Sequence, residues 1–374
     1  MRFADIPGLK ETKDRLVRSV KDGKVAHAQL FMGREGALNL PLAIAYTTYL
    51  HCQQRGESDA CGTCPACAKN LKYIHPDTHF VFPLSNIKGD KDEDRFRADI
   101  MKSWRSFLLE NPFGQAGDWT LHYGGEDKMA IISREESREI VKALSLKPFE
   151  SPFKVMIIWQ PEAMHPSAAN GILKILEEPP ANTFFILVSN NAERLLPTII
   201  SRTQQIVVPL LFNDDVAGYL MGTEGADREK VLRVAAEADG NLRLASELMT
   251  LEETDHHSQM AEWLRSCYKK DFPRLVSFAE EFHDFDRLQQ QTFLQYTLHM
   301  LRETLLAQAG AEELLRSRGN EQKFIRDFSK VMTVSRIEKT QSLLTEASAN
   351  LERNGSAKMI FLHTSIQVSQ LLNS

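Results

Sequence analysis

The sequence predicts an α/β domain, a parallel sheet with helices on both faces, followed by regions that are helical to the end of the chain. Three observations carry this. Short apolar runs alternate with helical patterns from about residue 25 to residue 209. One of these runs, "KVMIIW", is apolar almost throughout, as expected of a strand buried on both faces. Beyond residue 209 or so, no strand pattern recurs.

Taken in order, residues 25–32, "VAHAQLFM", read as a strand and residues 38–50 as a helix. "THFVFP" is a second short strand. Residues 83 to about 130 break the rhythm and read as an insertion. They hold a charged run, "KGDKDEDR", a helix-like "FRADIMKSWRSFLLENPFG" and a Gly-rich turn. Trp104, Phe107, Leu108 and Leu109 in this insertion fit two readings, a small docking face or packing on the domain's own surface. "SREESREIVKALSL" then opens on a capping box, Ser133 with Glu136, and turns Ile140, Val141 and Leu144 to one side. "PSAANGILKILEE" is a helix with Pro166 at its start and Ala168, Ala169, Ile172, Leu173 and Leu176 on one face. Pro179 and Pro180 stop it. "TFFILVS" and "QQIVVPLL" are further strands. "DREKVLRVAAEADGNLRLASELM" reads as two short helices joined at Gly240, and "NLERNGSAKMIFLHTSIQVSQLL" as a closing helix–turn–helix.

With 374 residues the chain is long enough for two or three domains, and 43% apolar with 25% charged residues is ordinary for a globular protein. A net charge of −5 argues against a dedicated, tight nucleic-acid binder. The N-terminus lacks the apolar core of a signal peptide, and no apolar run is long enough to cross a bilayer. A cytoplasmic location is expected, where disulfides are rare.

Four of the five cysteines, Cys52, Cys61, Cys64 and Cys67, crowd into "CQQRGESDACGTCPACAKN". Four thiolates complete a tetrahedral zinc shell with no open position, the mark of a structural site. A redox pair from one C-x-x-C and four unliganded thiols are the alternatives; a structural zinc (Zn2+) that staples a loop is favoured. Cys267 stands alone in a helical stretch and is expected in a core.

"GREGALNLPLA" follows the first strand and opens a helix, where a phosphate-binding loop spells G-x-x-x-x-G-K-[ST]. Gly33 starts the loop correctly, and Gly36 lies within it. Its second glycine position is Leu38, whose Cβ opposes close approach to phosphate. The lysine position is Asn39, which is neutral, and the Ser/Thr position is Leu40, which has no oxygen for magnesium. At the end of "KVMIIW", where an ATPase of this architecture places an acidic pair, stand Trp159 and Gln160. Glu162 lies beyond Pro161 and is not expected to substitute. Five positions serving one reaction have lost their chemistry, so no nucleotide cofactor site and no intrinsic hydrolysis are expected.

Several of these segments resemble one family. "HAQLFMGREG", the cysteine cluster after the following helix, "NGILKILEEPPANTFFILVSNN", "LLPTIISRT" and "GNLRLA" are similar to motifs of bacterial DNA polymerase III clamp-loader subunits, which are AAA+ proteins. The resemblance covers about residues 5–250 outside the insertion and extends weakly through "LERNGSAKM". It implies an AAA+ domain at 1–208 with its zinc module at 52–67 and the insertion at 83–130, a helical lid at 209–255, and a C-terminal helical oligomerisation collar at 256–374. Two kinds of subunit share the motifs. The tau/gamma motor keeps an intact loop and acidic pair, whereas the delta-prime kind often has a degraded loop and keeps the arginine motif; this chain has the second pattern.

The resemblance makes Arg202 an arginine finger acting in trans on a neighbour's phosphoryl group; without the resemblance, a surface arginine in an ordinary salt bridge is the better reading. Thr203 replaces the usual cysteine with little consequence expected, because its small side chain packs inward. Arg243 falls at a vestigial second sensor, where pairing with a carboxylate is the alternative. Asn190 and Asn191 follow "TFFILVS", at the place of a γ-phosphate sensor, with a structural role at least as well supported. The implied partners are tau/gamma motor subunits, the delta subunit, the sliding clamp, and primed DNA through the assembled hetero-oligomer, with no membrane. Catalysis by the chain itself is not expected; its enzymatic connection is membership of the polymerase III holoenzyme. Two other readings are an active tau/gamma-type ATPase with an atypical loop, and a zinc-stapled nucleic-acid binder outside any clamp loader, against which the acidic balance counts.

Overall fold

The computed structural model describes the chain apart from residues 86–92, 126–129, 134–135, 137–146, 223–226, 251–255, 312–314, 316, 318–319, 353–354 and 374. It divides into two units, Met1–Met249 and Thr250–Ser374. In the first, β1 (Ala28–Met32), β2 (Thr78–Val81), β3 (Lys154–Trp159), β4 (Thr183–Ser189) and β5 (Gln204–Val207) pair in the order β2-β3-β4-β1-β5. Every pairing is parallel, with Leu30 beside Leu187 and Ile157 beside Ile186. All of β3 is buried, which is why its sequence shows no alternation.

Helices cover both faces. Successive strand residues point to opposite sides. Met156, Ile158 and Leu30 meet Ala168, Ala169, Ile172 and Leu176 of the helix Pro166–Glu177 on one side. On the other, Phe31 lies 6.1 Å from Tyr46 of the helix Asn39–His51. In chain order the helices of this unit are α1 (Lys10–Lys21), α2 (Asn39–His51), α3 (Pro65–Asn70), α4 (Glu93–Glu110), α5 (Ala116–His122), α6 (Pro166–Glu177), α7 (Pro197–Ile200), α8 (Asn213–Met221), α9 (Arg228–Glu237) and α10 (Leu242–Thr250). The predicted "SREESREIVKALSL" helix lies almost wholly outside the described residues; within them, Glu136 N–H donates to Ser133 Oγ at 3.3 Å, one half of the expected capping box.

The insertion packs on its own domain. Trp104, Phe107, Leu108 and Trp119 are buried. Trp104 stacks on Phe82 at 4.2 Å, meets Trp119 edge-on at 5.0 Å, and lies 5.2 Å from Trp159 at the end of β3. The indole N–H of Trp119 donates to the Pro83 carbonyl at 3.0 Å. Of the four residues that fitted either reading, only Leu109, 58% exposed, stays outside this cluster.

The second unit is helical throughout its described residues, with α11 (His256–Lys269), α12 (Phe272–Asp284), α13 (Arg287–Gln308), α14 (Asn320–Phe328), α15 (Val334–Glu352) and α16 (Ala357–Leu372). α16 packs against α11, α12 and α15. Phe361 on α16 stacks on Phe282 at 4.2 Å and lies 5.4 Å from Trp263. Cys267 is fully buried beside Ser365, in the core position expected of it. Among the described residues no helix is long and apolar enough to cross a membrane.

Replacing Trp104 with Ala removes the hub of the insertion's aromatic cluster and is expected to cost about 3–5 kcal/mol. Leu109→Ser, at an exposed site, should change stability by less than about 0.5 kcal/mol. Denaturant titration of the two variants checks the contrast.

Candidate functional site

The loop 33–38 leaves the carboxyl end of β1, where open parallel sheets bind ligands. A phosphate there would need free amide hydrogens from the loop and the first turn of α2. The protein itself takes several of them. Gly33 N–H donates to the Ser189 carbonyl at 3.2 Å and Ala37 N–H to Arg34 at 2.9 Å. Leu40 N–H donates to the Asn39 side-chain oxygen at 3.1 Å. Pro41, third in the helix, has no N–H to offer. Gly36 N–H is covered by Gln115 from the insertion: with its amide oriented to satisfy both neighbours, Gln115 accepts from Gly36 at 3.0 Å and donates to Glu35 Oε1 at 2.9 Å.

Asn39, at the lysine position, is buried and turned inward. Its Nδ2 donates to the Ser189 carbonyl at 2.9 Å and to Asn190 Oδ1 at 2.8 Å. Leu38 and Leu40 are buried beside it. Gly36 has φ +87°, and a Cβ there would come within 2.6 Å of Asn241 Cγ. Asn241 caps α10, accepting from Leu244 N–H at 3.1 Å, so the start of α10 sits directly on the loop.

At the end of β3, Trp159 is buried in the insertion's aromatic cluster and Gln160 turns the chain with φ +55°. Glu162 Oε1 accepts from the N–H groups of Asn190 at 2.9 Å and Asn191 at 3.1 Å. It therefore holds the end of β4, a structural task. Asn190 is tied to Asn39 rather than turned toward a ligand.

The two arginines sit in different settings. Arg202 follows α7, its side chain one-third exposed. Its Nε donates to Glu177 Oε1 at 2.7 Å and Nη1 to the Thr198 carbonyl at 2.9 Å, and Nη2 also pairs with Glu177. Thr203 Oγ1 donates to the carbonyls of Ile199 and Ile200, both at 3.1 Å. Arg243 on α10 is clamped by carboxylates. Its Nε lies 2.5 Å from Asp118 Oδ2, and its Nη2 lies 2.6 Å from Asp118 Oδ1 and 2.7 Å from Glu247.

The four clustered cysteines come together at the end of α2 and around α3. Their sulfurs all lie within 4.8 Å of one another. Cys61 Sγ accepts from Thr63 N–H at 3.5 Å and Cys64 N–H at 3.3 Å. Those backbone donors pull its thiol down to about 6, while burial pushes Cys67 up. Four convergent sulfurs, with amides stabilising thiolate at one of them, fit a metal ion. Asp59 in the same loop accepts from Phe3 and Ala4 N–H at 3.1 and 2.8 Å, tying the module to the N-terminus.

The family profile described as DNA polymerase III, delta subunit, matches residues 8–211, more than half of the chain. The chain belongs to that family. Within it, the DNA polymerase III subunit delta′ of Pseudomonas aeruginosa is 31% identical over 185 residues, 50% of this chain and 44% of that protein. The subunit delta′ of Bacillus subtilis is 24% identical over 304 residues, 80% of this chain and 78% of that one. The subunit gamma of Buchnera aphidicola is 24% identical over 252 residues, 66% of this chain and 57% of that one. The matched part thus spans less than half the length of the first of these relatives.

For this family member, the sequence pointed to the loop, the cysteines and both arginines, of which the structure brings the four cysteines together. It did not bring forward Pro41, Gln115, Asp118 or Asn241. Pro41 was legible beside Asn39 in "NLPLA". The other three act through contacts distant in sequence, which no local pattern signals.

Asn39→Ala would leave Asn190 Oδ1 without its donor and remove one of two donors to the Ser189 carbonyl. Unfolding titrations should show a loss of about 1–3 kcal/mol.

Proposed function

We propose that the chain is a non-hydrolysing, delta-prime-type subunit of the DNA polymerase III clamp loader that completes a neighbouring motor's ATP site with Arg202. The observation that carries this is the contrast between its two ends of the same chemistry. Several of the loop's amide hydrogens are spent within the protein, and Asn39 fills the lysine position from inside. Arg202, by comparison, stands at the surface just after a short helix, held by one exposed glutamate, a carbonyl and the Ser201 hydroxyl. Both delta′ and gamma subunits stand among the relatives; Asn39, Leu40, Trp159 and Gln160 favour the former.

On this reading residues 1–208 form an AAA+ domain, 209–255 its helical lid and 256–374 a collar that assembles with tau/gamma and delta. The assembled hetero-oligomer, rather than this chain alone, meets the sliding clamp and primed DNA. A guanidinium delivered in trans neutralises charge on the transferring phosphoryl group, worth about 10³–10⁵ in rate in well-studied systems. The four cysteines hold structural zinc, which supplies folding free energy to the loop after α2 and takes no part in hydrolysis.

Arg202→Ala is expected to leave assembly intact and to depress both the ATPase and the clamp loading of a reconstituted complex. Lysine at this position should rescue poorly, because it lacks the planar fork. Normal ATPase in the alanine complex would end the finger assignment. The purified chain alone should hydrolyse no ATP above background, and magnesium-dependent ATP binding by it would favour the active-motor alternative instead.

Metal analysis of the purified protein should find one zinc per chain. Cys64→Ser should lose it together with about 2 kcal/mol or more of stability.

A further inference from the structure

An ion pair joins the insertion to α10 beside the spent loop. Gly36 N–H is held by the Gln115 side chain at 3.0 Å. Gln115 N–H donates to Asp118 Oδ2 at 2.7 Å. Asp118 in turn presents both oxygens to Arg243, at 2.5 and 2.6 Å. The side chains of this pair are 26% and 19% exposed, so it is largely sheltered from water. A continuous path of hydrogen bonds therefore runs from the loop, through the start of α5, to the guanidinium on α10. Phe113, in the same segment, meets Tyr219 of α8 edge-on at 5.6 Å. Asn241 closes over Gly36 from the α10 side.

In a loop that kept its ligand, an anion would sit between the amide hydrogens and any nearby cation. Here Arg243 instead meets two carboxylates, Asp118 and, at 2.7 Å, Glu247, and Asp118 reaches the loop only through Gln115. We propose that Asp118 is a resident substitute for a phosphate: it engages Arg243 bidentately while Gln115 occupies the loop, fixing α8–α10 on the sheet with no nucleotide present. Carboxylate and phosphate present the same acceptor geometry to guanidinium, which is why one can take the other's place. The consequence is a subunit whose α8–α10 segment does not respond to nucleotide. Arg202 plays no part, so success or failure of the trans-arginine experiment leaves this inference untouched.

Hydrogen exchange on the full chain, followed in peptides covering α10, tests it with inorganic tripolyphosphate as the probe. The wild-type chain should exchange slowly there and be indifferent to tripolyphosphate. Asp118→Asn removes the charge at constant shape, and exchange in α10 should quicken about tenfold. Tripolyphosphate should then slow it again, and that rescue should vanish in Asp118→Asn/Arg243→Gln. Peptides from α11–α16 serve as the internal control for folding. Should the asparagine variant fail to fold, Arg243→Lys keeps the charge but loses the fork, and should also quicken exchange in α10. Unchanged exchange in a folded variant, protection of the wild type by tripolyphosphate, or rescue that persists without Arg243 would each overturn the proposal.

Discussion

A helix that begins inside a domain must give its first amide hydrogens to something, because burying them unpaired costs about 1–3 kcal/mol each. In nucleotide-binding loops the phosphates accept them. The first turn of α2 is buried here, and several donors of the loop and this turn are met from within: Asn39 accepts from Leu40, Pro41 removes a donor altogether, and Gln115 accepts from Gly36. Those few contacts explain much else around the site. Once the loop is satisfied without an anion, a lysine beside it would be a buried cation with no counter-charge, and Asn39 is the side chain that instead serves the Ser189 carbonyl.

The same logic reaches the end of β3. A carboxylate at Trp159 would have only a metal and water to justify its charge. With neither required, that position faces the insertion and takes the largest apolar ring available, packed 5.2 Å from Trp104. The insertion is thus more than a decoration. Its aromatic side covers the strand that would carry the acidic pair, and its polar end, Gln115 and Asp118, covers the loop. Glu162, just beyond β3, holds the backbone of Asn190 and Asn191.

The strands were legible because burial on both faces writes long apolar runs, and "KVMIIW" and "TFFILVS" became β3 and β4 residue for residue. "QQIVVPLL" gave a shorter strand, ending at Val207, two residues before Pro209. The short α3 and α7 left no periodicity to read, being fewer than two turns each. At the site, sequence spacing exposed what the loop lacks, since each missing group has a fixed place in a motif. It was silent about what replaces those groups. Gln115, Asp118 and Asn241 reach the loop only through tertiary packing, so their residue types carry no local signature.

Arg202 and Arg243 show how environment assigns different work to one side chain. Arg243 meets Asp118 and Glu247 where water is largely excluded, and removing either carboxylate leaves a sheltered charge short of a partner. Such a guanidinium is committed. Arg202 shares a pair whose side chains are 33% and 48% exposed, the kind of contact worth only about 0–1 kcal/mol. Water can replace Glu177 at little cost, so a more highly charged acceptor on a neighbouring chain can draw the fork away without unfolding anything. The contact with the Thr198 carbonyl, together with the short α7 turn, keeps the stem in place meanwhile. Weak retention of this kind is what the trans role proposed for Arg202 would require: a fork held in place by contacts that can be given up.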